Sequence, residues 1–234
     1  MLKKRFHLSK FKTILLGYLF VILIGAFLLS LPISSASKTW TSFIDSIFTS
    51  TSAVCVTGLV VFDTATHWSL FGQMVILLLI QIGGMGVVTM AIAISILSGR
   101  RISLKQRSTM QEAISAPKVG GIVRLTGFVL KGTFLIEFIA ALIMMPVFVK
   151  DFGAKGIWMA VFHSISAFCN AGFDLMGTEN VKYASLTFYV SHPLINITIM
   201  LLITIGGIGF LTWEDIQKNK PHTVSAIAMA IGTK

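Results

Sequence analysis

One twelve-residue pattern of serine, cysteine and glycine occurs twice in this chain, 114 residues apart. The first copy reads Phe48, Ser50, Ser52, Ala53, Cys55, Gly58, then Leu59. The second reads Phe162, Ser164, Ser166, Ala167, Cys169, Gly172, then Phe173. Six positions agree in identity and spacing, and each copy takes one of the only two cysteines. The chemistry such a segment suits is ion coordination by the main chain. A cation crossing a bilayer must exchange its water shell for other oxygens, and rings of backbone carbonyls supply them. Non-helical backbone at membrane depth is tolerated only where protein buries it or water lines it. Glycine eases that path by reaching φ values closed to other residues. The filter expected from the pattern is Val56, Thr57 and Gly58 with Asn170, Ala171 and Gly172, acting through their carbonyls. One copy alone reads as well as a tight turn in a packed loop; two copies in equivalent places favour the filter.

Other chemistries find little support. No CxxC or HExxH spacing is present, and the five histidines are scattered as interface or loop residues. No Gly-x-Ser-x-Gly motif or paired Ser and His on a span supports an intramembrane protease, so an enzyme is not expected. The two cysteines read as small buried residues rather than a disulfide pair. The formal charge of +10 raises the question of nucleic acid. Its distribution answers it: 15 of the 19 basic residues lie in 1–12, 98–131 and 211–234, alternating with apolar stretches. That is the positive-inside pattern, and it excludes nucleic acid as the partner.

The elements that must position the loops are membrane spans. The chain is 55% hydrophobic and 12% charged, about half the charge of a soluble domain. Residues 13–31 carry no charge and make about 28 Å of helix, enough to cross the hydrocarbon core before Pro32 ends them. The stretch is longer than a signal-peptide core and has a counterpart in the second half, so it reads as retained. Residues 41–54 are too short to cross and rich in Ser and Thr, which predicts a re-entrant helix, with Ser42 and Asp45 as a capping-box variant. Residues 70–97 read as one uncharged span. The second half repeats the plan: a span at 121–149 holding Arg124, Lys131 and Glu137, a short helix at 156–168, and a span at 194–211. A basic tail (1–12), a basic linker (98–120) and a C-terminal tail (212–234) are assigned to the cytoplasm. Each short helix then enters from outside with its C-terminal end, carrying partial negative charge, toward the membrane centre.

A second landmark supports duplication. Ile82-Gly83-Gly84-Met85-Gly86 matches Ile205-Gly206-Gly207-Ile208-Gly209 at an offset of 123. These glycines read either as hinges or as points of close helix packing. The expected fold is therefore an all-α membrane protein of two parallel span–pore helix–span repeats. Glu137 is the most conspicuous intramembrane acid, a candidate for an ion relay, an ion pair with Lys131 or Arg124, or a water-facing site. Asp63 and Asp174, each beyond a filter glycine, are candidate pore-mouth acids or exposed loop acids.

These residues resemble the Trk/Ktr/HKT superfamily of potassium transporters, most closely the bacterial Ktr-type membrane subunit. Ser52-Ala53-Val54-Cys55-Val56-Thr57-Gly58-Leu59, Ser166-Ala167-Phe168-Cys169-Asn170-Ala171-Gly172-Phe173 and the Gly-Gly-Ile-Gly segment at Gly206 carry the resemblance. It implies four such repeats around one pore in a bacterial cell membrane, and potassium uptake coupled to or assisted by sodium. It also implies a homodimer and a cytosolic nucleotide-binding ring that gates the pore, with the linker 98–120 as one docking region. No bound cofactor is expected besides the transported K+, with Na+ as a second candidate ion. Only two repeats are present, so truncation is the favoured expectation, with pairing of two chains as the other. The alternative function is a non-conducting half-protein or scaffold that only binds an assembly partner.

Overall fold

Helices that are apolar on every side need burial in protein or lipid, and such helices dominate this chain. The computed structural model describes residues 10–98, 104–113, 122–209 and 212–213. Among them there is no strand, only one isolated bridge between Ser35 and Trp68. The helices are α1 (Lys10–Ser30), α2 (Phe43–Val54), α3 (Thr64–His67), α4 (Leu70–Met85), α5 (Val87–Leu97), α6 (Leu104–Ala113), α7 (Ile122–Phe152), α8 (Lys155–Phe168) and α9 (Pro193–Ile208). Two of them, α1 and α7, are long and apolar enough to cross a membrane, and a third crossing results if α4 and α5 count as one bent span. The assigned tails, and the linker on either side of α6, fall mostly outside the described residues.

Described helices overlap the stretches 13–31, 41–54, 121–149, 156–168 and 194–211. A short 3-10 turn at Pro32–Ser34 follows α1, since proline cannot continue the hydrogen-bond ladder. The short helices α2 and α8 have 12 and 14 residues, about 18 and 21 Å, too short to cross.

Three expectations are corrected. The span drawn over 70–97 is two helices, because Gly86 takes φ +83° and the axis turns by 99° there. The side chain of Ser42 makes no capping bond. It lies exposed at the N-terminus of α2, where solvent or headgroups can serve the first-turn amides. Both cysteines are free, but only Cys169 is buried; Cys55 is exposed. A Cβ on Gly84 of α4 would stand 2.8 Å from the Cβ of Cys169, so that close helix covers the second cysteine. No equivalent helix covers Cys55 among the described residues.

Each short helix leans on the long helix before it. Ser50 Oγ donates to Ile22 O of α1 at 2.8 Å, and Ser164 Oγ donates to Glu137 O of α7 at 2.6 Å. The repeated serines thus do one job in both copies: they tie the middle of the short helix to a backbone carbonyl. The glycine pairs close the other side. A Cβ on Gly83 would fall on the carbonyl oxygen of Val54, and one on Gly206 on that of Phe168. Val54 and Phe168 are the last residues of α2 and α8. Gly86 and Gly209 end α4 and α9 with φ of +83° and +89°. Close packing and helix termination therefore divide the Gly-Gly-x-Gly segment between them. Around this frame the core is built from large side chains, among them Trp68, Phe148, Phe162, Met144 and Met159.

Candidate functional site

The two helices that carry the repeated pattern end in the same way. After α2, Val56 N–H donates to Ala53 O (3.3 Å) and Thr57 N–H to Ser52 O (2.9 Å). After α8, Asn170 N–H donates to Ala167 O (3.0 Å) and Ala171 N–H to Ser166 O (2.7 Å). These are the paired bonds of a Schellman end, which needs a left-handed residue between them. Val56 and Asn170 fill that place, both at φ +57°. Asparagine tolerates it; for a β-branched valine it is an outlier. Two residues later Gly58 and Gly172 both take φ +72°.

These bonds engage the amides of residues 56, 57, 170 and 171 with the helix ends behind them. The carbonyl oxygens of Val56, Thr57, Gly58, Asn170, Ala171 and Gly172 accept no hydrogen bond among the described residues. The loops also meet. A Cβ on Gly58 would stand 2.5 Å from Ala171 O and 3.3 Å from the Gly172 Cα; one on Gly172 would stand 3.6 Å from the Gly58 Cα. All six expected filter residues therefore lie in two facing loops, each at the C-terminal end of a helix, where partial negative charge favours a cation.

The second loop is braced more firmly than the first. Ser166 Oγ donates to Phe173 O at 2.6 Å. Leu175 N–H donates to Nε2 of buried His163 at 3.3 Å, and His163 Nδ1 pairs with Met159 O at 2.7 Å. Both ring nitrogens of His163 are engaged, with Nδ1 as the donor, so the ring acts as a strut. In the first copy Thr49 stands at the equivalent position and bonds Asp45 O of its own helix. Thr57 Oγ1 bonds Ser52 Oγ there at 2.9 Å. The strut was missed from sequence because His163 differs between the copies; its place inside the repeated pattern was the available signal.

The two candidate mouth acids sit differently from one another. Asp63 is buried and its carboxylate is occupied. Oδ1 accepts from Thr66 N–H and Oγ1, both at 2.9 Å, capping α3; Oδ2 accepts from Tyr183 N–H at 2.8 Å. Tyr183 in turn donates from its hydroxyl to Val61 O at 3.0 Å. Asp63 thus clasps the segment after the second loop to the segment after the first. Asp174 accepts from Met176 N–H at 2.9 Å. It lines a cavity of about 250 Å³ with His163, Ser166, Asn170, Gly172 and Ser185. Burial, aided by the charge of Asp63, holds its carboxyl above the ordinary carboxylate range, against the pull of its backbone donors.

Comparison with known proteins places this geometry. Residues 7–227 match the family model described as TrkH, cation transport protein. The chain is 41% identical over 231 residues to the potassium/sodium uptake protein NtpJ of Enterococcus hirae, covering 97% of this chain and 49% of that protein. It is 43% identical over 206 residues to the Ktr system potassium uptake protein B of Bacillus subtilis, covering 88% of this chain and 44% of that one. With its Vibrio alginolyticus counterpart it shares 36% over 209 residues, 89% and 44% of the two chains. The chain spans about half the length of these relatives. It belongs to the TrkH family of cation transport proteins.

Proposed function

We propose that this chain supplies two filter loops of a potassium uptake pathway, with the carbonyls of Val56, Thr57, Gly58, Asn170, Ala171 and Gly172 coordinating the cation. The observation that carries the reading is the matched pair of loops: equal φ at both left-handed positions and both glycines, and six carbonyls without hydrogen-bond partners among the described residues. In this reading α2 and α8 are re-entrant helices that enter a bacterial cell membrane from outside. The chain is then two parallel span–pore helix–span repeats with cytoplasmic termini. Asp174 faces the cation at the mouth, while Asp63 fixes the loops beside it. The potassium and sodium named for the relatives are the ions to test. A homodimer and a cytosolic nucleotide-binding ring are the proposed partners, besides the lipid.

The test is rubidium uptake in a bacterium lacking its own potassium uptake systems. The chain should restore growth at low potassium. A serine at Gly58 meets the Ala171 carbonyl and is strained at φ +72°. That strain costs a non-glycine residue about 1–2 kcal/mol, so Gly58→Ser and Gly172→Ser should each lower uptake roughly tenfold. Half the length of the relatives favours a second reading, in which two loops assemble but do not conduct. A membrane-inserted chain that gives no rescue would select it.

A further inference from the structure

Glu137 lies 3% exposed in α7, where it faces α4 of the first half. Its carboxylate receives one neutral donor: Gln81 Nε2 stands 3.0 Å from one oxygen and 3.3 Å from the other. No ion pair joins it among the described residues. Two further buried oxygens have no partner, Gln81 Oε1 and Thr133 Oγ1. Gln81 and Thr133 are 6% and 0% exposed. The Gln81 oxygen belongs to the amide already on the carboxylate, and Thr133 lies one turn before Glu137 on the same face of α7.

The charged and titratable groups around the site do not compensate it. Along α7, Lys131 and Arg124 are exposed and lie about 9 and 20 Å away toward the helix start. From α8 comes His163, with both ring nitrogens engaged, and just past its end Cys169, near enough to feel the Glu137 charge. The segments α4, α5 and α9 contain no charged residue. Helix α6 meets α7 where Met110 accepts from Thr126, about 16 Å from Glu137 along the axis. A bare carboxylate in apolar surroundings is so costly that it pairs with a cation or takes up a proton.

The duplicated plan does not call for an acid here. Ser164 bonds the Glu137 carbonyl as Ser50 bonds that of Ile22, so Ile22 is the counterpart of Glu137. The acid is an addition made where the two halves meet. Both helices that meet at it, α4 and α7, belong to this chain.

We propose that Glu137, with Gln81 and Thr133, is an intramembrane monocation site, separate from the filter, that takes up one proton or one small alkali ion between α4 and α7. This rests on the reading above only for its membrane setting. Bond to bond, the site reaches α8 through Ser164, five residues before Cys169.

The test is infrared spectroscopy of the chain in lipid vesicles at neutral pH. The buffer first contains choline as its only salt cation and then receives sodium or potassium. A protonated-carboxyl band should be present in choline and missing in Glu137→Gln. Should that variant fail to fold, carbon-13 glutamate assigns the band in the native sequence. Conversion to a carboxylate band on adding sodium or potassium identifies an alkali-ion site; persistence identifies a proton site; both support the proposal. A Glu137 carboxylate already ionised in choline, with no alkali metal retained by mass analysis, overturns it. The filter uses main-chain carbonyls. Loss of uptake with the Glu137 band intact therefore counts against the filter alone.

Discussion

Val56 is held at φ +57°, where a β-branched side chain is strained, while its equivalent Asn170 adopts the same angle with little strain. Strain of this kind costs about 1–3 kcal/mol and persists only where the surroundings enforce it. Here the enforcement is the Schellman pair and the meeting of the loops at Gly58 and Gly172. Replacing Val56 by glycine should therefore raise thermal stability, by about 1 kcal/mol. A melting curve in detergent measures this. A lower melting temperature would mean that contacts of the valine side chain outweigh the strain. If the loop carries ions, the same variant should discriminate less well between rubidium and sodium, because a glycine there loosens the carbonyls on either side.

At the scale of elements, the fit of each short helix between two long ones depends on atoms that glycine leaves out. Gly83→Ala and Gly206→Ala place a methyl on the last carbonyls of α2 and α8. Each should cost about 1–3 kcal/mol through overpacking, read as lowered melting temperature and reduced yield of folded protein. Gly127→Ala serves as the control, since a Cβ there meets nothing within 4 Å. Much of this layer was legible in the sequence. The repeated serines and glycines mark the two short helices, and α2 and α8 lie where they fall. The break at Gly86 was not legible, because an uncharged run reads the same straight or bent. The covering of Cys169 but not Cys55 was hidden as well, since it depends on which half's helix lies over which loop.

Across the whole molecule, the two halves are joined by Asp63 and by the contact of Gln81 with Glu137. Asp63 accepts three hydrogen bonds, two from Thr66 and one from Tyr183, which lies 120 residues further along the chain. Hydrogen bonds to charged groups contribute roughly 1.5–3 kcal/mol each, and not additively. Asp63→Ala should destabilise the chain by about 2–4 kcal/mol, and Tyr183→Phe, which removes only the bond to Val61 O, by about 1 kcal/mol. Chemical denaturation of the purified chain distinguishes the two. The sequence left Asp63 as a mouth acid or an exposed loop acid, and the structure buries it; its partner Tyr183 lay too far along the chain to be foreseen. The six loop residues stand out in the sequence because duplication marks them twice. Glu137 was conspicuous as an acid inside an apolar stretch.

The glycines that end α4 and α9 leave both helices 16 residues long, or about 24 Å. Beside them, α1 has 21 residues and α7 has 31, about 31 and 46 Å. A typical hydrocarbon layer is about 30 Å thick, so the short pair is mismatched to it by roughly 6 Å. Lipid can meet such a shortfall by thinning locally. The protein should accordingly respond to acyl-chain length. Rubidium uptake into reconstituted vesicles should be fastest in bilayers thinner than average and should slow as the chains lengthen. Uptake indifferent to thickness would mean that protein, not lipid, surrounds the ends of α4 and α9.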